Sequence, residues 1–177
     1  MITATPRPAT LSPRALRSPG LPAFSVRPAR PDDAAGLAAL SRPFVRSGAL
    51  RERTQAQYAC QARDFLVAEA ADGTLEGCLG LSVHHTDTPA GRPATGVLYS
   101  FCVAGHRQGC GVGARLLHAA LARARSQSLR ALFTATTGSG RLFLRHGFAP
   151  ACPSTAPAAW AQSLDPRRNA RVLACAL

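Results

Sequence analysis

Two apolar segments separated by an amphipathic helix constrain the fold of this chain more than any other feature. The run GVLYSFCV (96–103) is almost entirely apolar, as expected of a strand covered on both faces, and RALFTAT (130–136) is a second such run. Between them, VGARLLHAALARARSQ (112–127) places its leucines and several alanines on one helical face. Two strands joined by one helix pair in parallel, so this segment predicts a βαβ unit within a sheet.

The other elements are predicted from shorter patterns. Pro31 and two aspartates precede an apolar stretch, as is typical of a helix start, and Thr54 is a favourable N-cap for a second helix. In chain order we expect a strand over 24–29, helices over 31–40 and 54–63, strands over 64–70 and 74–84, the βαβ unit, a short helix over 139–146 and a strand over 170–177. This order predicts an α/β (α+β) fold in which helices flank both faces of a mixed central sheet.

Composition divides the chain into a tail and one domain. Residues 1–22 are rich in arginine, proline and serine, which predicts a disordered tail ahead of a domain over 23–177. The formal net charge is +12 and all 21 basic residues are arginines, which favours anionic ligands. With 6% aromatic residues and no recognition-helix motif, we expect no nucleic-acid partner. No apolar run is long enough for a membrane span, and the six scattered cysteines lack metal-ligand spacing, so we expect a cytoplasmic protein without a metal.

The segment GHRQGCGVGARLL (105–117) leads from the first buried strand into the helix, and its glycines alternate. Alternating glycines before a helix let backbone N–H groups approach a phosphate. A P-loop needs a lysine, which this chain lacks. Gly109, Gly111 and Ala114 also fit the dinucleotide pattern G-x-G-x-x-A, but no acidic residue follows over 129–136 to hold a ribose. A glycine-rich corner without a ligand stays an alternative.

A third pattern, Q-x-x-G-x-G at Gln108, Gly111 and Gly113, resembles the acetyl-coenzyme A loop of the GNAT family of N-acetyltransferases. The stretch CVAGHRQGCGVGARLL is similar to that loop almost position for position, except for Gly105, where proline is common. The later LFLRHGF (142–148) resembles the family's short helix ending in Gly-Phe.

This resemblance implies the GNAT fold and acetyl-CoA as the cosubstrate. It also implies that strands 96–103 and 130–136 part to admit the pantetheine arm, and that backbone N–H groups near 101–103 polarise the thioester carbonyl. The positions that it implies for cofactor binding are Phe101, Cys102, Val103, Gln108, Gly109, Cys110, Gly111, Val112, Gly113 and Ala114.

Other segments resemble the acetyltransferase domain of N-acetylglutamate synthases. These are residues 41–69, SFCVAG, residues 130–150 and RRNARVL (167–173). In that family the arginines at the start of the second helix and before the last strand grip the glutamate carboxylates, which implies Arg53 and Arg168 as substrate-binding residues. Guanidinium groups suit this task because they bind carboxylates bidentately. Ala170 stands where the family has a serine that also binds substrate.

We therefore expect an N-acetyltransferase that acetylates the amino group of glutamate or a similar acidic amino acid and serves arginine biosynthesis. Its partner is a small-molecule amine, and assembly into a homo-oligomer is a further expectation. Two alternatives stay open, a GNAT enzyme that acts on another amine and a non-catalytic acetyl-CoA-binding module.

The catalytic base is not identified by the sequence. Many GNAT enzymes have a glutamate early in the fourth strand, where this chain has Val97, and a tyrosine four residues before the Gly-Phe glycine, where it has Phe143. The glutamate synthases also have phenylalanine at the second position, so Val97 is the departure that motivates the non-catalytic alternative. Candidate replacements are His84, His85 and Tyr99, and direct proton loss through ordered water is an equal alternative.

Overall fold

The computed structural model describes residues 24–85 and 94–177, and the predicted tail over 1–22 lies outside these ranges. The strands are β1 (Phe24–Pro28), β2 (Phe65–Ala70), β3 (Leu75–His85), β4 (Ala94–Val103), β5 (Ala131–Thr136), β6 (Ala149–Pro150) and β7 (Arg171–Ala176). The helices are α1 (Ala34–Arg46), α2 (Gln55–Cys60), α3 (Val112–Ser126), α4 (Arg141–Arg145) and α5 (Ala158–Gln162).

The strands form one sheet in the order β1-β2-β3-β4-β5-β7-β6. β4 and β5 pair in parallel, whereas the other neighbouring strands pair antiparallel. The predicted βαβ unit and the mixed sheet are therefore confirmed. No helix in the described ranges is long and apolar enough to cross a membrane.

The observed ends of two helices differ from the predicted ends. Helix α1 was expected to stop at residue 40 but continues through Pro43 to Arg46, where Phe44 still packs against the core. Helix α2 stops at Cys60 instead of residue 63, because residues 62–64 form a separate 3-10 turn before β2. The predicted cap is confirmed, since the Thr54 hydroxyl accepts from the Gln57 N–H in a capping box. The proline-rich segment after residue 148 holds β6 and α5, which the sequence patterns did not predict.

Apolar side chains fill both faces of the sheet. On one face lies α3, whose predicted buried face is confirmed by its buried residues Leu116, Leu117, Ala120, Leu121 and Ala124. On the other face, α1 and α2 cover a cluster that includes Leu37, Tyr58 and Phe65. A third cluster on β4, β5 and β7 packs against α5, where the Trp160 ring lies 6.4 Å from the Phe133 ring.

One arginine joins β1, β2 and the start of α1. Arg27 donates to both carboxylate oxygens of Asp33 and to both of Glu69, over 2.6–2.9 Å. These bonds hold the pKa of each carboxyl group below its ordinary value. The network lies at one edge of the sheet, away from the parallel pair.

Candidate active site

Strand β4 carries a bulge near the centre of the sheet. Cys78 of β3 faces Cys102 and Gly80 faces Tyr99, so β4 holds one residue more than β3 between these pairs. Ser100 lies in this extra stretch with a φ of +48°, a left-handed conformation that is uncommon outside glycine. A bulge bends its strand and turns its backbone groups away from the regular ladder.

Next to the bulge, β4 and β5 separate. Their pairing runs from Gly96 with Leu132 to Leu98 with Thr134, and no further pairing is present in the described residues although β4 continues to Val103. The buried Thr134 hydroxyl donates to the Leu98 carbonyl oxygen over 3.2 Å and so satisfies that acceptor where the ladder ends. Beyond Leu98, this side of β4 faces a gap, as the resemblance implied.

The loop from β4 to α3 has the backbone geometry of an anion site. Gly109 and Gly111 have φ of +78° and +82°, and Gly111 is the N-cap of α3. A Cβ on Gly113 would lie 3.2 Å from Leu142 Cδ2 and 3.3 Å from Phe101 Cζ, so even a methyl group would press on both side chains. The unpaired N–H groups at the start of α3 form the positive end of the helix dipole, and the first turn has no acidic residue to neutralise it.

The predicted cofactor-binding positions all lie on this loop or on the adjoining end of β4. Gln108 ties the loop to β4, since its side-chain amide donates to the Val103 carbonyl oxygen over 3.1 Å. The side chains of Cys102 and Val112 are buried in the core, so only their backbones can contact a ligand. The residues present therefore fit a pyrophosphate bound by backbone N–H groups. The exposed or half-buried members of the set are Phe101, Val103, Gln108, Gly109, Cys110, Gly111, Gly113 and Ala114.

On the face covered by α1 and α2, Arg53 reaches the bulge. Its Nε donates to Ser100 Oγ over 3.2 Å and its Nη1 donates to Gln61 Oε1 over 2.5 Å. Its guanidinium carbon lies 4.6 Å from the centre of the Tyr99 ring. Nη2 has no partner among the described residues. Three contacts thus orient a half-buried guanidinium group and leave one nitrogen for a carboxylate.

Tyr99, which supports Arg53, is itself held from two directions. Its hydroxyl donates to Asp64 Oδ2 over 3.0 Å. A Cβ on Gly80 would lie 2.7 Å from two of the ring carbons, so the ring packs directly against the Gly80 backbone. Burial and the negative charge of Asp64 raise the pKa of the Tyr99 hydroxyl, so near neutral pH it is a hydrogen-bond donor.

Arg168 contacts the loop that carries Arg53. This loop joins α1 to α2 over residues 47–54. Arg168 Nη2 donates to the carbonyl oxygens of Gly48 and Ala49, each over 2.7 Å. Its Nε and Nη1 have no partner in the described part of the chain. The structure therefore brings both predicted substrate-binding arginines to the α1–α2 loop, Arg53 within it and Arg168 against it.

The central part of the chain matches a known family. Residues 35–148 fit the family model described as the acetyltransferase (GNAT) family, and these residues include the parted strands, the glycine loop and α4. The chain belongs to the GNAT family. This family is one of acetyltransferases, which take the acetyl group from acetyl-CoA.

Several known proteins are similar to this GNAT acetyltransferase. The amino-acid acetyltransferase of Ralstonia nicotianae is 33% identical over 132 residues, which are 75% of this chain and 28% of the relative. The amino-acid acetyltransferase of Ectopseudomonas mendocina is 31% identical over 153 residues, which are 86% of this chain and 34% of the relative. The chain spans about a third of the length of these curated relatives.

Solved structures agree with the GNAT fold. N-acetylglutamate synthase from Neisseria gonorrhoeae, complexed with coenzyme A and N-acetyl-glutamate, aligns with a TM-score of 0.76 and 29% identity over 87% of this chain and 35% of that one. Rv2747 from Mycobacterium tuberculosis, solved in complex with CoA, aligns with a TM-score of 0.69 and 22% identity over 86% of this chain and 99% of that one. The second likeness is one of fold alone.

The positions considered for a base differ in their distance from the bulge. Val97 is 1% exposed and packs with Phe133 and Val172, so this GNAT site has an apolar surface where many members have glutamate. His84 and His85 pair with Thr95 and Ala94 of β4, which lie about 16 Å and about 20 Å along the strand from Ser100 at about 3.3 Å per residue. Burial lowers the pKa of His84. Neither histidine takes part in the mechanism proposed below.

Three residues of the site were not singled out from the sequence. Gln61, Asp64 and Ser100 contact Arg53 or Tyr99 from positions 8, 35 and 47 residues away along the chain. No local motif marks them: Gln61 meets Arg53 across the length of α2, and the contacts of Asp64 and Ser100 depend on how β2, β3 and β4 align. In the ranges that the structure describes, no three His, Cys, Asp or Glu side chains lie close enough together to hold a metal ion.

Proposed function

We propose that this GNAT acetyltransferase transfers the acetyl group of acetyl-CoA to the amino group of an acidic amino acid, with glutamate as the acceptor. The observation that carries the proposal is Arg53, which Ser100, Gln61 and Tyr99 hold at the β4 bulge with Nη2 available. The similarity to amino-acid acetyltransferases and to an N-acetylglutamate synthase supports the same acceptor. We propose, on that similarity, that the reaction serves arginine biosynthesis, and we further propose that it takes place in the cytoplasm.

Glutamate carries two carboxylates, and two arginines suit them. In the proposal, Arg53 binds one carboxylate and the unpaired Nε and Nη1 of Arg168 bind the other. Arg53 lies within the α1–α2 loop and Arg168 donates to the backbone of this loop, so both guanidinium groups belong to the same part of the site. Ala170 offers no hydroxyl, so the guanidinium groups carry the recognition.

In the proposed reaction, the amine nitrogen attacks the thioester carbonyl carbon, a C–N bond forms, and the C–S bond breaks. Backbone N–H groups of residues 101–103 donate to the carbonyl oxygen as negative charge develops on it. An α-amino group has a pKa of about 8, so it must lose a proton before the attack. Because Val97 is apolar, this proton passes to water. A second proton leaves the nitrogen as the amide forms and reaches the departing thiolate through water.

The buried Val97 also favours a second candidate function, an acetyl-CoA-binding module that does not turn over. Its side chain packs among other apolar groups, so this position supplies no carboxylate that could accept the proton of the amine. The same acetyl-CoA loop would serve either function. The two candidates differ in whether any amine releases the thiol.

The test is to incubate the purified chain with acetyl-CoA and each amino acid in turn and to measure thiol release. We expect glutamate to give the highest kcat/KM. Arg53→Gln and Arg168→Gln should each raise the KM for glutamate about 10- to 100-fold, because a hydrogen bond to a charged group contributes about 1.5–3 kcal/mol. Arg46→Gln, at the exposed end of α1, removes the same charge and should leave the KM unchanged.

Other outcomes separate the alternatives. Thiol release only with polyamines or peptides contradicts an acidic acceptor and identifies a GNAT enzyme for another amine. Tight CoA binding without release from any amine supports the non-catalytic module. A KM for glutamate that is unchanged in both arginine variants removes these residues from the acceptor site.

A further inference from the structure

A second bulge, on β3, carries the carboxylate of Glu76. Ala68 faces Gly77 and Glu69 faces Leu75, so Glu76 is the extra residue on β3. Bulges re-aim a side chain and are over-represented beside active sites. The Glu76 side chain turns towards the loop between β4 and α3, and the residue is only 6% exposed.

Glu76 contacts this loop through both its backbone and its side chain. Its carbonyl oxygen accepts from the Ala104 N–H over 2.8 Å. Its Oε2 lies 2.8 Å from Nε of Arg107, a loop residue that is 4% exposed. Arg107 directly precedes Gln108, and its own carbonyl oxygen accepts from the Cys110 N–H over 3.3 Å. The ion pair thus joins β3 to the middle of the acetyl-CoA loop.

The loop is also joined to the start of α3. The guanidinium carbons of Arg107 and Arg115 lie 5.7 Å and 4.4 Å from the centre of the Phe24 ring. A third titratable group, the exposed His106 ring, has Nε2 3.9 Å from Glu76 Oε1. Arg107 is therefore fixed by an aromatic ring as well as by the carboxylate.

A buried ion pair contributes little net stability to a fold. Both charges lose their hydration, and apolar residues of similar size often stabilise a protein as well or better. What the pair provides is one defined arrangement, because each buried charge depends on its partner. This matters for a loop whose glycines at 109 and 111 otherwise permit many backbone conformations.

We propose that Glu76 and Arg107 are positioning residues for acetyl-CoA. Their buried pair holds the loop in the conformation in which its N–H groups and those at the start of α3 converge on the phosphates. Binding energy is then not consumed in ordering the loop. Neither side chain touches the ligand. The inference rests on the use of acetyl-CoA and is independent of which amine accepts the acetyl group.

The test is Glu76→Gln, which keeps the size of the side chain and removes its charge. We expect the Kd for CoA, measured by calorimetry, and the KM for acetyl-CoA to rise about tenfold, since CoA must then spend binding energy on ordering the loop. The KM for the acceptor and kcat at saturating acetyl-CoA should change little. Amide hydrogen exchange over residues 104–111 should become faster.

A matched control is Glu69→Gln on β2, which also removes a carboxylate from an arginine ion pair, but its side chain contacts Arg27 and not the loop. It should leave the Kd for CoA unchanged. Because Arg107→Met alone would leave a buried carboxylate without this arginine, the decisive second variant is Glu76→Gln/Arg107→Met, which buries no charge at either position.

We expect the double variant to melt near the wild-type temperature and still to bind CoA about tenfold more weakly. Wild-type affinity for CoA in the double variant would overturn the proposal. So would a Glu76→Gln protein that melts at a lower temperature but keeps the wild-type Kd and wild-type loop exchange, because the pair would then be structural only.

Discussion

Replacing Gly80 by alanine perturbs the support behind Arg53 without touching the arginine. The added Cβ would lie 2.7 Å from two carbons of the Tyr99 ring, whereas ordinary contacts begin at 3.4 Å. The ring or the strand must therefore move by about 0.7 Å, the difference between these distances. The ring is not a free end that can swing aside, because Asp64 holds its hydroxyl and Arg53 lies against it.

The expected magnitude follows from these contacts. Overpacking of a well-packed site typically costs about 1–3 kcal/mol. In a domain of this size each kcal/mol lowers the Tm by about 2–4 °C, so a fall of about 2–12 °C is expected. A displaced Tyr99 ring also weakens its cation–π contact with Arg53, worth about 0.5–1 kcal/mol, which corresponds to a two- to fivefold rise in the KM for glutamate.

Thermal unfolding and thiol-release kinetics measure the two effects. Gly36→Ala is the control, because its Cβ would meet the flexible end of Leu75 at 3.0 Å and alanine favours a helix by up to about 1 kcal/mol. Its Tm should stay the same or rise. In a Tyr99→Leu background the smaller side chain relieves the clash, so Gly80→Ala should lower the Tm less than it does in the wild type, while the KM for glutamate stays raised.

Two results would refute this reasoning. A wild-type Tm in Gly80→Ala would mean that the Tyr99 ring is not held against Gly80. A lower Tm with an unchanged KM for glutamate would mean that Tyr99 does not position Arg53.

Two further predictions concern the loop and the sheet edge. Gly111→Glu should abolish CoA binding, since it forces a side chain into a left-handed conformation and adds a negative charge to the anion site. Gly105→Ala is the control, because its added Cβ would meet no atom within 4 Å. A folded Gly111→Glu variant with the wild-type Kd for CoA, or a similar loss of binding in Gly105→Ala, would contradict this. Arg27→Met should flatten the dependence of unfolding free energy on pH, measured in urea at pH 7 and pH 3. In the wild type the carboxyl groups of Asp33 and Glu69 have lowered pKa values beside Arg27. Their contribution to the free energy of unfolding is therefore present above their ordinary pKa values of 3.8 and 4.5 and is lost as the pH falls. An equal loss of stability in Arg27→Met would show that the ion pairs with Arg27 do not cause it.

Most of the fold could be predicted because it depends on patterns along the chain. The two apolar runs and the helix between them predict that β4 and β5 pair in parallel, as observed. The predicted buried face of α3 is also the observed one. The end of α1 could not be predicted in the same way, because packing of Phe44 keeps a helix going past a proline that usually ends one.

The candidate site could likewise be predicted from the sequence only in part. The glycine loop is visible in the sequence because a helix N-terminus that binds phosphate needs residues without side chains at fixed spacing. Arg53 and Arg168 were found through resemblance, and only the structure shows that both contact the α1–α2 loop. Tyr99 is a candidate base in the sequence, but its hydrogen bond to Asp64 joins β4 to the turn before β2, which no spacing along one strand reveals.

By itself, the sequence determined the family and the order of the strands and helices as far as α4, and it predicts the acetyl-CoA loop, since each depends on the residue types of one continuous segment. Tertiary structure alone decided the two bulges, at Ser100 on β4 and at Glu76 on β3. A bulge is a difference of one residue between two paired strands, so it exists only once those strands are aligned. From these two bulges come the placement of Arg53 and the buried pair that holds the acetyl-CoA loop.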